Sequence, residues 1–134
     1  MCENLLKYTC YAPLQEIAQN IIKTQTEGIK QMKEIARTTC KFTNSPNDIN
    51  CYMMKYCAIT KNMIWKMKNS PKCRNINLNF VNEMIPHHEG AIAMCKNLLH
   101  YCIDSRLISV AESIISEQSK GVEQLEELRR NLCR

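Results

Sequence analysis

Two adjacent histidines, His87 and His88, stand between Met84 and Met94. Imidazole and thioether donors together favour a soft ion, copper(I) first, whereas Zn²⁺ takes His and Cys but not thioether. At helical spacing both histidines lie three or four residues from Met84, so Met84 with one histidine is a feasible ligand pair. Met94 is seven residues beyond His87, about 10.5 Å along a helix axis. Cys95 is equally far from His88. One helix cannot bring all of these to one ion, so other ligands must come from other helices or a partner chain. Glu117 and Gln118, midway along the last helix, are candidates to approach the pair. A plainer reading puts one histidine in the core and the other in solvent, with methionine as core filler. Acid–base use of the pair is a third.

Several chemistries are excluded. A His-Glu-x-x-His zinc protease motif would need a second histidine where Ile92 stands. Di-iron carboxylate bundles need Glu-x-x-His, but Glu83 is followed three residues later by Pro86. There is no Gly-rich phosphate loop and no Gly-x-Ser-x-Gly elbow. No catalytic residue is assigned, and the protein is read as a non-enzyme.

The elements that must position the pair are helical. Among 134 residues there are 3 Gly and 4 Pro, too few for the tight turns of a sandwich or barrel. Apolar residues make up 45%, enough for a core. Residues 14–38 and 107–130 carry apolar side chains at spacings of three, four and seven. A connecting helix is expected over 46–68, with Ser45 and Asp48 as a capping box and Pro46 first. Its stripe is Ile49, Tyr52, Met53, Tyr56, Cys57, Thr60, Met63, Ile64 and Met67. The His-His helix is expected over 77–101, and the bend at 103–105 makes it an antiparallel hairpin with the last helix. It is expected to run through Pro86 with a kink, because Ile85 would be a poor N-cap.

Residues 1–35 align without gaps onto 94–128, with 14 identities. Met1, Cys2, Asn4, Leu5, Leu6 and Tyr8 match Met94, Cys95, Asn97, Leu98, Leu99 and Tyr101. Further on, Gln25 matches Gln118 and Gly28 matches Gly121. A duplicated hairpin explains this. The stretch 80–93 precedes only the second copy, so the first is expected to be truncated. The single domain 1–134 then divides into a truncated repeat (1–40), a connecting helix with loops (41–76) and a second repeat (77–134). Gly inside a helix costs about 1 kcal/mol relative to Ala. Both glycines are therefore expected to let neighbouring helices approach closely.

The nine cysteines contain no Cys-x-x-Cys, so a zinc ribbon is not expected. They read as buried reduced thiols, or as soft-metal ligands. Cys95 and Cys102 are placed on one helix face. Residues 1–79 carry 12 Lys/Arg against 5 Asp/Glu, and 80–134 carry 6 against 8. The basic half reads as a solvated face, since no aromatic-interleaved motif supports nucleic-acid binding. No run of 18 apolar residues predicts a membrane span. The N-terminus lacks a basic segment followed by an apolar one, so a cytoplasmic location is expected.

Phe-Val-Asn-Glu-Met-Ile-Pro-His-His-Glu-Gly-Ala-Ile-Ala-Met (80–94), followed by Leu-x-x-x-Ala-x-x-Ile-Ile-x-x-Gln (107–118), resembles the family catalogued as domain of unknown function 305. The resemblance is specific over 80–128, and a degraded second match covers 1–35. It implies an all-α, ferritin-like four-helix bundle made of two hairpins joined by a connecting helix. It also implies metal handling, since some members are linked to copper and bind it through Met and His. By position, the implied metal residues are Met84, His87, His88, Met94 and Gln118. The first copy keeps only Met1 and Gln25 of that set. A site built on two His pairs therefore cannot form within this chain, and a homo-oligomer would complete it. The alternative is a structural or protein-interaction bundle without ligand.

Overall fold

The computed structural model describes residues 1–39 and 43–133, and the ordered elements among them are all helices. In chain order they are α1 (Cys2–Leu5), α2 (Ala12–Thr38), α3 (Pro46–Lys68), α4 (Ile76–Leu98) and α5 (Ser105–Leu132). Three of the four long helices start on a side-chain cap, and α2 starts after Tyr11 without one. Ser45 Oγ accepts the Asp48 N–H at 3.1 Å and Pro46 takes the first turn of α3. Asn75 Oδ1 accepts the N–H groups of Asn77 and Leu78 at the head of α4. Asp104 Oδ1 accepts the Arg106 N–H at 2.9 Å at the head of α5. These bonds satisfy backbone donors that the first helical turn leaves unpaired.

Helix α4 is the hub. It packs against α3 on one side and α5 on the other, while α2 packs on α5 and α1 wedges against α2 and α4. α4 runs without interruption through Pro86, so the pair lies within a helix rather than at its start. The proline lacks an N–H, so the Asn82 carbonyl is left without its helical donor. Leu14, Val81 and Leu125 are fully enclosed where α2, α4 and α5 meet. Burial of each such side chain contributes about 1.5–3 kcal/mol. Thr9 Oγ1 donates to Asn77 Oδ1 at 2.7 Å and ties the α1–α2 turn to the start of α4.

Four expectations are corrected. α4 ends at Leu98 rather than near Tyr101, so Cys95 and Cys102 do not share a helix face. Cys102 lies in the turn, where its N–H donates to Asn44 Oδ1 at 3.0 Å. The thiols are not mainly buried: Cys2 is buried and Cys95 half-buried, while Cys10, Cys51, Cys57, Cys73, Cys102 and Cys133 are exposed. Cys40 lies outside the described residues. The α3 stripe is only partly used, because among the described residues α3 packs chiefly against α4. Tyr52, Met63 and Met67 turn inward, but Ile49, Met53, Cys57 and Ile64 remain exposed. Finally, a Cβ at Gly121 would meet the His88 ring, whereas one at Gly28 would meet nothing within 4 Å. Close approach explains Gly121 and not Gly28.

Candidate metal centre

Consecutive residues on an α-helix point about 100° apart, and this separates the two histidines. Their ring centroids are 6.1 Å apart with planes inclined at 61°. They line different cavities, which adjoin at Ile21 of α2.

The first cavity, about 260 Å³, lies between α1, α2 and α4 and is lined by His87, Met84, Cys2, Met1 and Gln25 among others. Met84 is 2% exposed and Cys2 is buried beside it in the same apolar cluster. His87 Nδ1 is buried and has no hydrogen-bond partner. A buried polar atom without a partner carries a desolvation cost of about 1–3 kcal/mol. Burial holds the His87 pKa below its ordinary value, with the Met1 ammonium adding to the effect. The ring is therefore neutral near pH 7, which is the form that ligates metals. Burial pushes the Cys2 thiol up, opposed by the same ammonium. A metal taken there would have to displace its proton.

The second cavity, about 300 Å³, lies between α2, α4 and α5 and is lined by His88, Gln118, Gly121, Glu117 and Thr24 among others. His88 Nδ1 lies 3.1 Å from the Met84 carbonyl. A carbonyl only accepts, so Nδ1 carries the proton and Nε2 a lone pair. Burial, with the His87 charge second, pulls the His88 pKa down to about 4, against the Met84 hydrogen bond. Gln118 is 7% exposed and its Oε1 has no partner.

The sequence-derived residues thus divide into three groups. Met84 and His87 share the first cavity, and His88 and Gln118 share the second. Met94 is half-buried and lines neither. Cys2 was missed as a site residue because it precedes the His pair by 85 positions in sequence. The repeat carried the signal: Met1 and Gln25, the two motif residues that the first copy keeps, line the cavity with Met84 and His87. Gly90 was missed too. It lets α3 approach α4, since a Cβ there would fall 3.0 Å from Met63 Cβ and closer to its sulfur.

No three His, Cys, Asp or Glu side chains among the described residues come together so that they could hold a metal ion. A site of three or more side-chain ligands among these residues would need a donor of another kind, such as thioether sulfur. The first cavity offers two thioethers, a thiol and an imidazole, donors that suit copper(I), beside the side-chain oxygens of Glu3 and Gln25. The wider clefts beside α2 and α5 have no His, Cys or Met in their walls.

A family model described as domain of unknown function (DUF305) matches residues 1–129. No curated protein matches the chain. No helix among the described residues is long and apolar enough to cross a membrane.

Proposed function

The chain belongs to the family described as domain of unknown function (DUF305), and from that premise we propose that it is a non-catalytic protein that holds a soft metal ion, copper(I) first. The reading rests on one observation: the buried, unpartnered Nδ1 of His87 in a cavity walled by Met84 and Cys2. His87 and Met84 would bind the ion, with Cys2 and Met1 as further sulfur donors. His88 would act through its hydrogen bond to the Met84 carbonyl, which fixes the backbone beside the site. In this reading α1–α2 and α4–α5 are two copies of one hairpin in a ferritin-like four-helix arrangement.

Titration of the reduced protein with copper(I) against a competing chelator tests the proposal. The exposed thiols bind copper(I) by themselves, so the titration uses a background in which Cys10, Cys51, Cys57, Cys73, Cys102 and Cys133 are serine. In that background His87→Ala is expected to weaken the tightest site at least tenfold. Unchanged affinity rejects the site.

A second reading is a protein-interaction bundle without ligand. It is favoured by α3, which buries no residue and leaves Met54 66% and Trp65 64% exposed. Single apolar residues on a surface are ordinary, but several along one helix mark a contact face. A concentration-dependent mass in sedimentation would support self-association through α3, and Met54→Lys with Trp65→Lys would abolish it.

A further inference from the structure

The buried stripe of α2 is interrupted partway along the helix. Leu14, Ala18 and Ile21 are buried, and Ile35 is buried again near the end. Between them the face opens. At 3.6 residues per turn, Met32 stands five whole turns beyond Leu14 and shares its side of the helix. Yet Leu14 is 0% exposed and Met32 37%. Ile29 is 49% exposed, and a Cβ on Gly28 would meet nothing within 4 Å.

The internal repeat says what fits there. Gly28, Ile29 and Met32 match Gly121, Val122 and Leu125 of α5. In α5 the same positions are covered, because α4 packs along them. Leu125 is 0% exposed and Val122 half-buried. The His88 ring stands 2.7 Å from where a Gly121 Cβ would be. Cys2–Leu5 match Cys95–Leu98 in sequence, and α1 packs on α2 as α4 packs on α5. But α1 is four residues long and leaves the face around Gly28 bare.

We propose that Ile22, Gln25, Gly28, Ile29 and Met32 form a docking groove for an α-helix of the α4 type, carried by a partner protein. Such a helix has few charges, as α4 has only Glu83, Glu89 and Lys96 in 23 residues. It places a histidine over Gly28, as His88 lies over Gly121, with an apolar residue such as methionine one turn before it. A second copy of this chain does not supply the helix. Lending its α4 would uncover its own Leu125, so the exchange buries nothing new. The groove adjoins the metal cavity at Ile22, Gln25 and Ile29, but the inference uses no metal and does not rest on the copper reading.

The test adds a synthetic peptide of residues 76–98 to the full chain with a chelator present, and follows the methyl resonances of Ile29 and Met32. The expected result is a saturable shift of both. An isolated helix of this length is marginal in water, so binding should also raise the peptide's helicity in circular dichroism. Gly28→Leu and Met32→Lys lie on an open face, so the fold should stand, and each should weaken binding at least tenfold. A peptide carrying His88→Asp should bind at least tenfold more weakly. Lys23→Gln, on the opposite face of α2, should leave affinity unchanged. No saturable shift up to millimolar peptide overturns the proposal, as does undiminished affinity in Gly28→Leu. Shifts centred on Val122 and Leu125 would mean that the peptide displaces α4, and would overturn it too. So would a dimer of the chain alone that moves the Ile29 and Met32 resonances, because a second copy would then fill the groove. The chelator keeps metal out of the measurement, so this proposal and the copper reading can fail separately.

Discussion

The His88 ring is packed over Gly121 across the α4–α5 interface. A Cβ at position 121 would stand 2.7 Å from His88 Cδ2 and 2.9 Å from Nε2. The matched glycine of the first repeat, Gly28, faces open space instead. Two glycines at equivalent places in the sequence therefore do different work.

Substitution of each glycine should give opposite signs. The His88 ring cannot swing aside without losing its bond to the Met84 carbonyl, so Gly121→Ala is expected to destabilise by about 1–3 kcal/mol, as overpacking does. Gly28→Ala meets no neighbour and should stabilise by about 1 kcal/mol through helix propensity. Urea unfolding of both variants checks this. A loss of stability in Gly28→Ala would contradict the open space seen there.

Acid should weaken the fold through His88. Its folded pKa, about 4, lies below the value of 6.5 for a free histidine. The stabilisation from a neutral ring is complete above pH 6.5. It declines as the pH falls toward 4, because the unfolded chain takes up the proton first. The loss across that window is roughly 3 kcal/mol at 1.36 kcal/mol per pH unit. His87 shifts in the same direction and adds to it. Unfolding free energies measured from pH 7 to pH 4 should be flatter in His88→Gln, which carries no titrating ring. An unchanged slope in that variant would place the acid sensitivity elsewhere.

The two methionines of the motif should separate in metal binding. Met84→Leu conserves volume, and such swaps usually cost less than about 1.5 kcal/mol of stability. It removes a thioether from the His87 cavity and should weaken copper(I) binding about tenfold or more, equivalent to roughly 1.4 kcal/mol. Met94→Leu should leave affinity unchanged, because Met94 lines neither cavity. Equal losses in both variants would mean that the methionines reach one ion together.

Thiol reactivity should follow burial. Burial pushes both Cys2 and Cys95 up from the ordinary thiol range, and the thiolate is the reactive form. Timed alkylation at pH 8 with mass-spectrometric mapping should find these two slower than Cys10, Cys51, Cys57, Cys73, Cys102 and Cys133. One equivalent of copper(I), in the background lacking the exposed thiols, should slow Cys2 further and leave Cys95 as it was. Protection of Cys95 instead would move the metal to the α3 side of α4.

The sequence alone was enough for the helices. Scarce Gly and Pro, the apolar spacing in 14–38 and 107–130, and Ser45-Pro46 before 46–68 are local signals, readable without knowing which neighbours each helix packs against. The continuity of α4 through Pro86 was legible for the same reason, because Ile85 offers no cap. The family was legible as well, carried by His87, His88 and the spacing to Gln118.

Only the tertiary structure decided how the site is divided. Periodicity places His87 and His88 near the same Met84 but does not say which helices lie beyond each ring. The answer depends on α1 packing between α2 and α4, and on α5 approaching closely at Gly121, which are long-range contacts. Those contacts bring Cys2 to His87 and Gln118 to His88, and they leave Met94 outside both cavities. The same dependence explains why half of the α3 stripe faces solvent: an amphipathic pattern specifies a face, and the neighbours available decide how much of it is covered.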